Sequence, residues 1–227
     1  MRLALAWAVH LYTALGAVLG LIALQATFRG EYRLAFALLA VALLIDSTDG
    51  AMARTVKVRQ VLPWFDGELL DNVVDYFNYV IVPVAIFMQP GILPPDLRAA
   101  ALIVVVASAY GFCRTDAKGL VDHYFQGFPS YWNVMAFYFV VLATPPAVNL
   151  AAVLIAVVMV FVPMRWIYPS RMESMRFPTI ALGVAWGVLG VIMIARLPEP
   201  SPMLGWISMF YPIYYVGGSV IFHFRTA

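Results

Sequence analysis

Charge and sulfur are what this chain has least of. Only 11% of its 227 residues are charged, and the 12 acidic and 14 basic side chains nearly cancel to a net charge of +2. A surface so poor in charge does not suit a water-soluble globule, and no basic footprint for nucleic acid is present. The single cysteine, Cys113, excludes an internal disulfide and any metal cluster of several thiolates. No gap between the apolar runs is long enough for a soluble domain, and no tandem repeat is evident. What remains is apolar: 63% of the residues, with a mean hydropathy of +0.87. The composition predicts an all-α, polytopic transmembrane bundle forming one domain over 1–227.

Clusters of charge and proline divide the chain into eight apolar segments of bilayer-crossing length, at 3–28, 33–54, 67–89, 97–114, 130–144, 147–163, 177–197 and 203–223. The first is about twice the length of a signal-peptide core and reads as a retained span. Between the fifth and sixth stand Pro145 and Pro146, which either separate two spans or kink one. Eight crossings place both termini on one side. That side carries Arg2, Arg54, Lys57, Arg59, Arg114, Lys118, Arg165, Arg171, Arg176 and Arg225, ten of the fourteen basic residues. The excess marks it as cytoplasmic.

Against this background six of the twelve acids crowd into residues 46–75. The stretch opens with Asp46, Asp49, Gly50, Ala53 and Arg54, and closes with Gly67, Asp71 and Asp75. At about 100° per helical residue, Gly50 projects roughly 40° from Asp46, Ala53 about −20°, Asp49 about −60° and Arg54 about 80°. One helix face therefore shows two carboxylates, two small residues and a guanidinium. On the next span, Asp71, Asp75 and Asn78 project about 40°, 80° and 20° from Gly67, again a single stripe. Two such faces can supply oxygen ligands to one or two hard divalent ions and leave positions for phosphate oxygens. The competing reading is that the acids mark the water boundary, and for Asp66 and Glu68 it is the better one. The grouping also suits a cation transporter, although after Asp75 no predicted span interior contains an acid.

At these residues the sequence resembles the CDP-alcohol phosphatidyltransferase family, whose signature is D-x2-D-G-x2-A-R, a spacer, and G-x3-D-x3-D. Asp46, Asp49, Gly50, Ala53, Arg54, Gly67, Asp71 and Asp75 match it. Twelve residues separate Arg54 from Gly67 where most members have eight, and eight spans replace the usual six. Both departures, the stretch Gly127-Phe-Pro-Ser-Tyr-Trp-Asn133 and the opening His10-Leu-Tyr-Thr13-Ala are similar to the bacterial branch that joins CDP-diacylglycerol to free choline.

The resemblance implies that Asp46, Asp49 and Asp71 bind Mn2+ or Mg2+, two ions, with Asp75 completing the site. Asp71 and Asp75 would form the catalytic pair, Asp75 as general base. Gly50, Ala53, Arg54, Gly67 and Thr13 would surround the cytidine nucleotide, with Arg54 on a phosphate. The products would be phosphatidylcholine and CMP. It further implies a homodimer in the bacterial inner membrane, among membrane lipids, with its site facing the cytoplasm.

Choline is a quaternary ammonium ion, and aromatic rings are its natural receptor. Tyr124, Phe128, Tyr131 and Trp132, on the side of the carboxylates, are the cage candidates; an interfacial aromatic belt is the alternative. A phosphorylated acceptor such as glycerol 3-phosphate or inositol phosphate would instead need cations, for which Arg165, Arg171 and Arg176 are available. Serine is another possible acceptor. His10 and Thr13, one turn apart, either line the nucleotide pocket or satisfy each other's surroundings inside the bundle.

Overall fold

Away from water a backbone must satisfy its own N–H and C=O groups, and the helix does so within one segment. The computed structural model describes residues 1–114, 124–167 and 175–226, with the backbone alone at 124, 125 and 226. Helices α1 (Arg2–Phe28) and α2 (Tyr32–Val56) form a hairpin that turns at Gly30, where φ of 74° favours glycine. A single turn, α3 (Val58–Val61), leads to α4 (Gly67–Tyr76), which runs through a π-turn (Phe77–Ile81) into α5 (Val82–Phe87). A 3-10 stretch (Pro95–Ala101) opens into α6 (Leu102–Cys113). Then come β1 (Tyr124–Gln126), α7 (Trp132–Val141), α8 (Pro146–Phe161), β2 (Arg165–Ile167), α9 (Arg176–Ala195), α10 (Pro202–Ser208) and α11 (Phe210–Thr226).

The all-α expectation holds, with one addition. The two short strands pair antiparallel, Tyr124 opposite Ile167 and Gln126 opposite Arg165, tying together the chain before α7 and after α8.

Among the described residues five rods are long and apolar enough to cross a membrane: Arg2–Phe28, Tyr32–Val56, Gly67–Phe87, Pro95–Cys113 and Arg176–Ala195. They correspond to the first four expected spans and the seventh. The other three segments are shorter or broken. The fifth becomes α7, a helix of 10 residues, which at about 1.5 Å per residue is roughly 15 Å long. The sixth becomes the 16-residue α8. Pro145 and Pro146 separate the two, because proline at the start of α8 sits where a helix has no N–H partner to lose. The eighth is interrupted at Met209 between α10 and α11.

Helix α1 is the packing centre for the acidic stretch. Its buried face reads Ala6, Val9, His10, Thr13, Gly16, Gly20 and Ala23, mostly small residues at helical spacing. A Cβ on Gly16 would stand 2.7 Å from Val74 Cγ1, and one on Gly20 only 2.0 Å from Asn78 Oδ1 and 2.8 Å from Phe77 Cδ1. Apolar helices gain little by hiding from one another in lipid, so close backbone approach of this kind is what holds them. Asn78, 2% exposed, fixes the contact by donating to the Gly16 carbonyl at 3.1 Å.

Asn78 thus faces α1 together with Gly67 and Val74, which an ideal helical projection places within about 40° of one another. The π-turn starts beside it, at Phe77. Pro83 supplies a reason for the turn, since a proline ring presses on the carbonyl four residues earlier and a wider turn relieves that contact.

Gly20→Ala is expected to displace Asn78 and Phe77 and to destabilise the bundle by about 1–3 kcal/mol, the usual cost of overpacking. Thermal unfolding in detergent measures it; an unchanged melting temperature would show slack at this crossing.

Candidate active site

The acidic face of α4 is set in place by a cap. Asp66 accepts hydrogen bonds from the backbone N–H groups of Glu68 and Leu69 at 3.1 and 2.9 Å, satisfying the open end of the helix. Asp66 and Glu68 are otherwise exposed, as their reading as solvated acids has it.

The rotation inferred for α2 is present. Asp46, Gly50 and Ala53 are half-buried and Asp49 is buried, while Ser47, Thr48, Ala51 and Met52 face outward. The outward hydroxyls bond back to their own helix, Ser47 to the Leu43 carbonyl and Thr48 to that of Leu44.

Between α2 and α4, one carboxylate oxygen each from Asp46, Asp49 and Asp71 lies within 4.8 Å of the other two. At that outer spacing two ionised carboxylates repel by roughly 3–4 kcal/mol for an effective dielectric of about 20. A cation offsets that repulsion, and an all-carboxylate donor set suits a hard divalent ion. The residues therefore fit such an ion. Asp75, one turn further along α4, is half-buried and lies outside the group of three.

Two hydroxyls from different elements hold the α2 acids. Thr13 of α1 donates to Asp49 Oδ2 at 2.7 Å. Tyr79, in the π-turn, donates to Asp46 Oδ2 at 2.9 Å and lies within electrostatic reach of Asp71 and Asp75. Thr13, expected at the nucleotide, has its proton committed to a carboxylate. Tyr79 was missed by the sequence reading, although one more turn of the stripe through Asp71 and Asp75 leads to it.

The small residues divide in purpose. A Cβ on Gly67 would stand 2.7 Å from His10 Cε1, so this glycine admits the His10 ring, which also packs on Phe65 with centroids 4.4 Å apart. Around Gly50 the nearest neighbour to an added Cβ would be Arg54 Nη1, at 3.4 Å. That face is open, and the exposed Arg54 borders it. Ala53 packs against the cluster of Ala6, Val9, Val58 and Leu62. Val58 and Leu62 belong to the long spacer, whose extra length forms α3 and folds beneath the start of α1.

The aromatic candidates separate. Trp132, expected as a cage wall, is fully buried, and its indole N–H donates to Ser108 Oγ at 2.9 Å; it belongs to the core. Phe128 and Tyr131 instead join two residues not singled out from the sequence, Trp166 and Tyr215. Tyr131 and Tyr215 lie 5.4 Å apart with hydroxyls bonded at 3.1 Å, Trp166 stacks on Tyr215 at 6.0 Å, and Phe128 meets Trp166 edge-on at 6.1 Å. Only β2 and α11 could reveal these partners, and neither element carries a motif. The side chain of Tyr124 lies outside the described residues, as does Arg171. Arg165 lies in β2, and Arg176 is exposed at the start of α9.

No family model matches the chain. Several relatives named phosphatidylcholine synthase do, among them the following three. That of Legionella pneumophila is 36% identical over 92% of this chain and 89% of its own length. That of Borreliella burgdorferi is 37% identical over 86% and 83% respectively. That of Pseudomonas aeruginosa is 38% identical over 93% and 89%. With identities of this size along nearly its whole length, and the acidic signature brought together in space, the chain belongs to the phosphatidylcholine synthase family.

Proposed function

We propose that this protein transfers the phosphatidyl group of CDP-diacylglycerol to choline, releasing CMP. The observation that carries the reading is the convergence of Asp46, Asp49 and Asp71 to within 4.8 Å, in a chain whose relatives are named for the product. Asp46, Asp49 and Asp71 would hold Mn2+ or Mg2+, two ions, which when bound would neutralise the diphosphate and the charge on departing CMP. Arg54, exposed beside the open face at Gly50, pairs with a phosphate of the nucleotide.

Asp75 takes the proton of the choline hydroxyl as that oxygen attacks the phosphorus bearing diacylglycerol. The new P–O bond forms to choline and the one to CMP breaks. Its place outside the group of three carboxylates supports this division of labour, since a base must keep an oxygen for the proton. The excess of Lys and Arg on the side bearing Arg54, Lys57 and Arg59 supports a site open to the cytoplasm, in the bacterial inner membrane. Phe128, Tyr131, Trp166 and Tyr215 supply the aromatic surface for the quaternary ammonium. A transporter is disfavoured because the described residues hold no second group of acids for a pathway.

Purified protein in detergent, given CDP-diacylglycerol, choline and Mn2+ or Mg2+, is expected to release CMP and form phosphatidylcholine. No CMP would defeat the reading, and preference for glycerol 3-phosphate, serine or inositol phosphate in competition would change the acceptor. Asp75→Asn is expected to lower kcat by about 10²–10⁴-fold, the range for a lost general base, while CMP binding measured by calorimetry persists; near-normal turnover would remove Asp75 from that role. Tyr131→Ala is expected to raise the KM for choline roughly 2- to 30-fold, from a cation–π contribution of about 0.5–2 kcal/mol, with little change for CDP-diacylglycerol. Equal effects on both substrates would mark Tyr131 as a packing residue.

A further inference from the structure

Tyr79 is held in place more firmly than a lipid-facing aromatic needs to be. It occupies the middle of the π-turn, between Asn78 at 2% exposure and Val80 at 0%. Asn78 is bonded to the Gly16 carbonyl and pressed against Gly20, so α1 fixes the turn from which Tyr79 projects. From there the phenol crosses to α2 and gives its single proton to Asp46 Oδ2 at 2.9 Å. Thr13, from α1, does the same to Asp49 Oδ2 at 2.7 Å. Each α2 carboxylate thus has one oxygen tied down by a neutral donor and one that is turned by that bond.

The neutrality of the donor is the telling point. A lysine or arginine in the place of Tyr79 would orient Asp46 equally well, but its positive charge would compete with a cation for the same carboxylate. A phenol orients without neutralising. Groups that orient a ligating side chain in this way commonly change metal affinity or activity about 10- to 100-fold when removed.

We infer that Tyr79 is a positioning residue for Asp46: its hydroxyl fixes the carboxylate in the orientation that receives a divalent cation, without touching either substrate. The inference rests on the proposed metal role of the three acids.

The test is Mn2+ affinity of the purified full-length protein, read from free Mn2+ by electron paramagnetic resonance. Tyr79→Phe keeps the ring and removes one oxygen. Its Kd for Mn2+ is expected to rise about 10- to 100-fold, with a matching rise in the Mn2+ needed for half-maximal turnover and little change in the KM for choline. Its melting temperature without metal should stay near that of the parent. In an Asp46→Asn background the same change should add nothing to the loss of affinity. Should the single variant fail to fold, D46N with and without Y79F decides the matter: equal Kd values support the inference, and a further loss overturns it. Parent-like Mn2+ affinity in Tyr79→Phe would leave Tyr79 a packing residue and sink this inference alone. Failure of the parent protein to bind Mn2+ or Mg2+ would instead sink the metal reading beneath it.

Discussion

Three carboxylates within 4.8 Å of one another set the terms for the rest of the bundle. Their repulsion favours separating α2 from α4, and the protein answers with a third helix. Helix α1 meets α2 through Thr13, α4 through Gly16 and the π-turn through Gly20, so the helices that carry the acids are clasped by one that carries none. The small residues of α1 have no chemistry of their own. They bring a backbone carbonyl to Asn78 and leave no room for the π-turn to relax. Close packing therefore maintains an electrostatically unfavourable arrangement, and a cation or a phosphate-bound cation gains from it.

The hydroxyl donors give that clasp its precision. Threonine from α1 and tyrosine from the π-turn approach the two α2 acids from different elements, so the orientation of the pair depends on three segments being in register. A site built this way is sensitive to packing several turns away.

Much of the acid face was legible because α2 is a regular helix through the signature. The 100° projection correctly places Asp46, Asp49, Gly50 and Ala53 inward, and Asp66 and Glu68 read as solvated are exposed. The stripe on α4 divides: Gly67, Val74 and Asn78 turn to α1, while Asp71 and Tyr79, four residues after Asp75, turn to the acids of α2. Nothing local marks the π-turn except Pro83. The aromatic cluster was half legible for another reason: Phe128 and Tyr131 stand near a recognisable stretch, whereas Trp166 and Tyr215 arrive through the β1–β2 ribbon and α11, contacts made over long sequence separations. Trp132 looked available because composition does not reveal whether an indole faces a ligand or Ser108. The fifth expected span, 130–144, already stops at Pro145 and Pro146, and α7 is shorter still because 130–131 and 142–144 lie outside the helix.

That shortness bears on the choice of acceptor. The far end of α7 is anchored near the end of α5, where buried Asn149 donates to the carbonyls of Ile92 and Thr144. A rod of about 15 Å rising from that anchor covers only half of a hydrocarbon layer about 30 Å thick. Helix α7 packs on α5 and the π-turn, and at its start Trp132 is fully buried with Phe128 against it. An alcohol that reaches those rings must shed water on the way in. A trimethylammonium head, wrapped in methyl groups and compensated by π-faces, sheds it at far lower cost than a phosphate dianion. Burial alone would then sort one class of acceptor from the other before any side chain touched either.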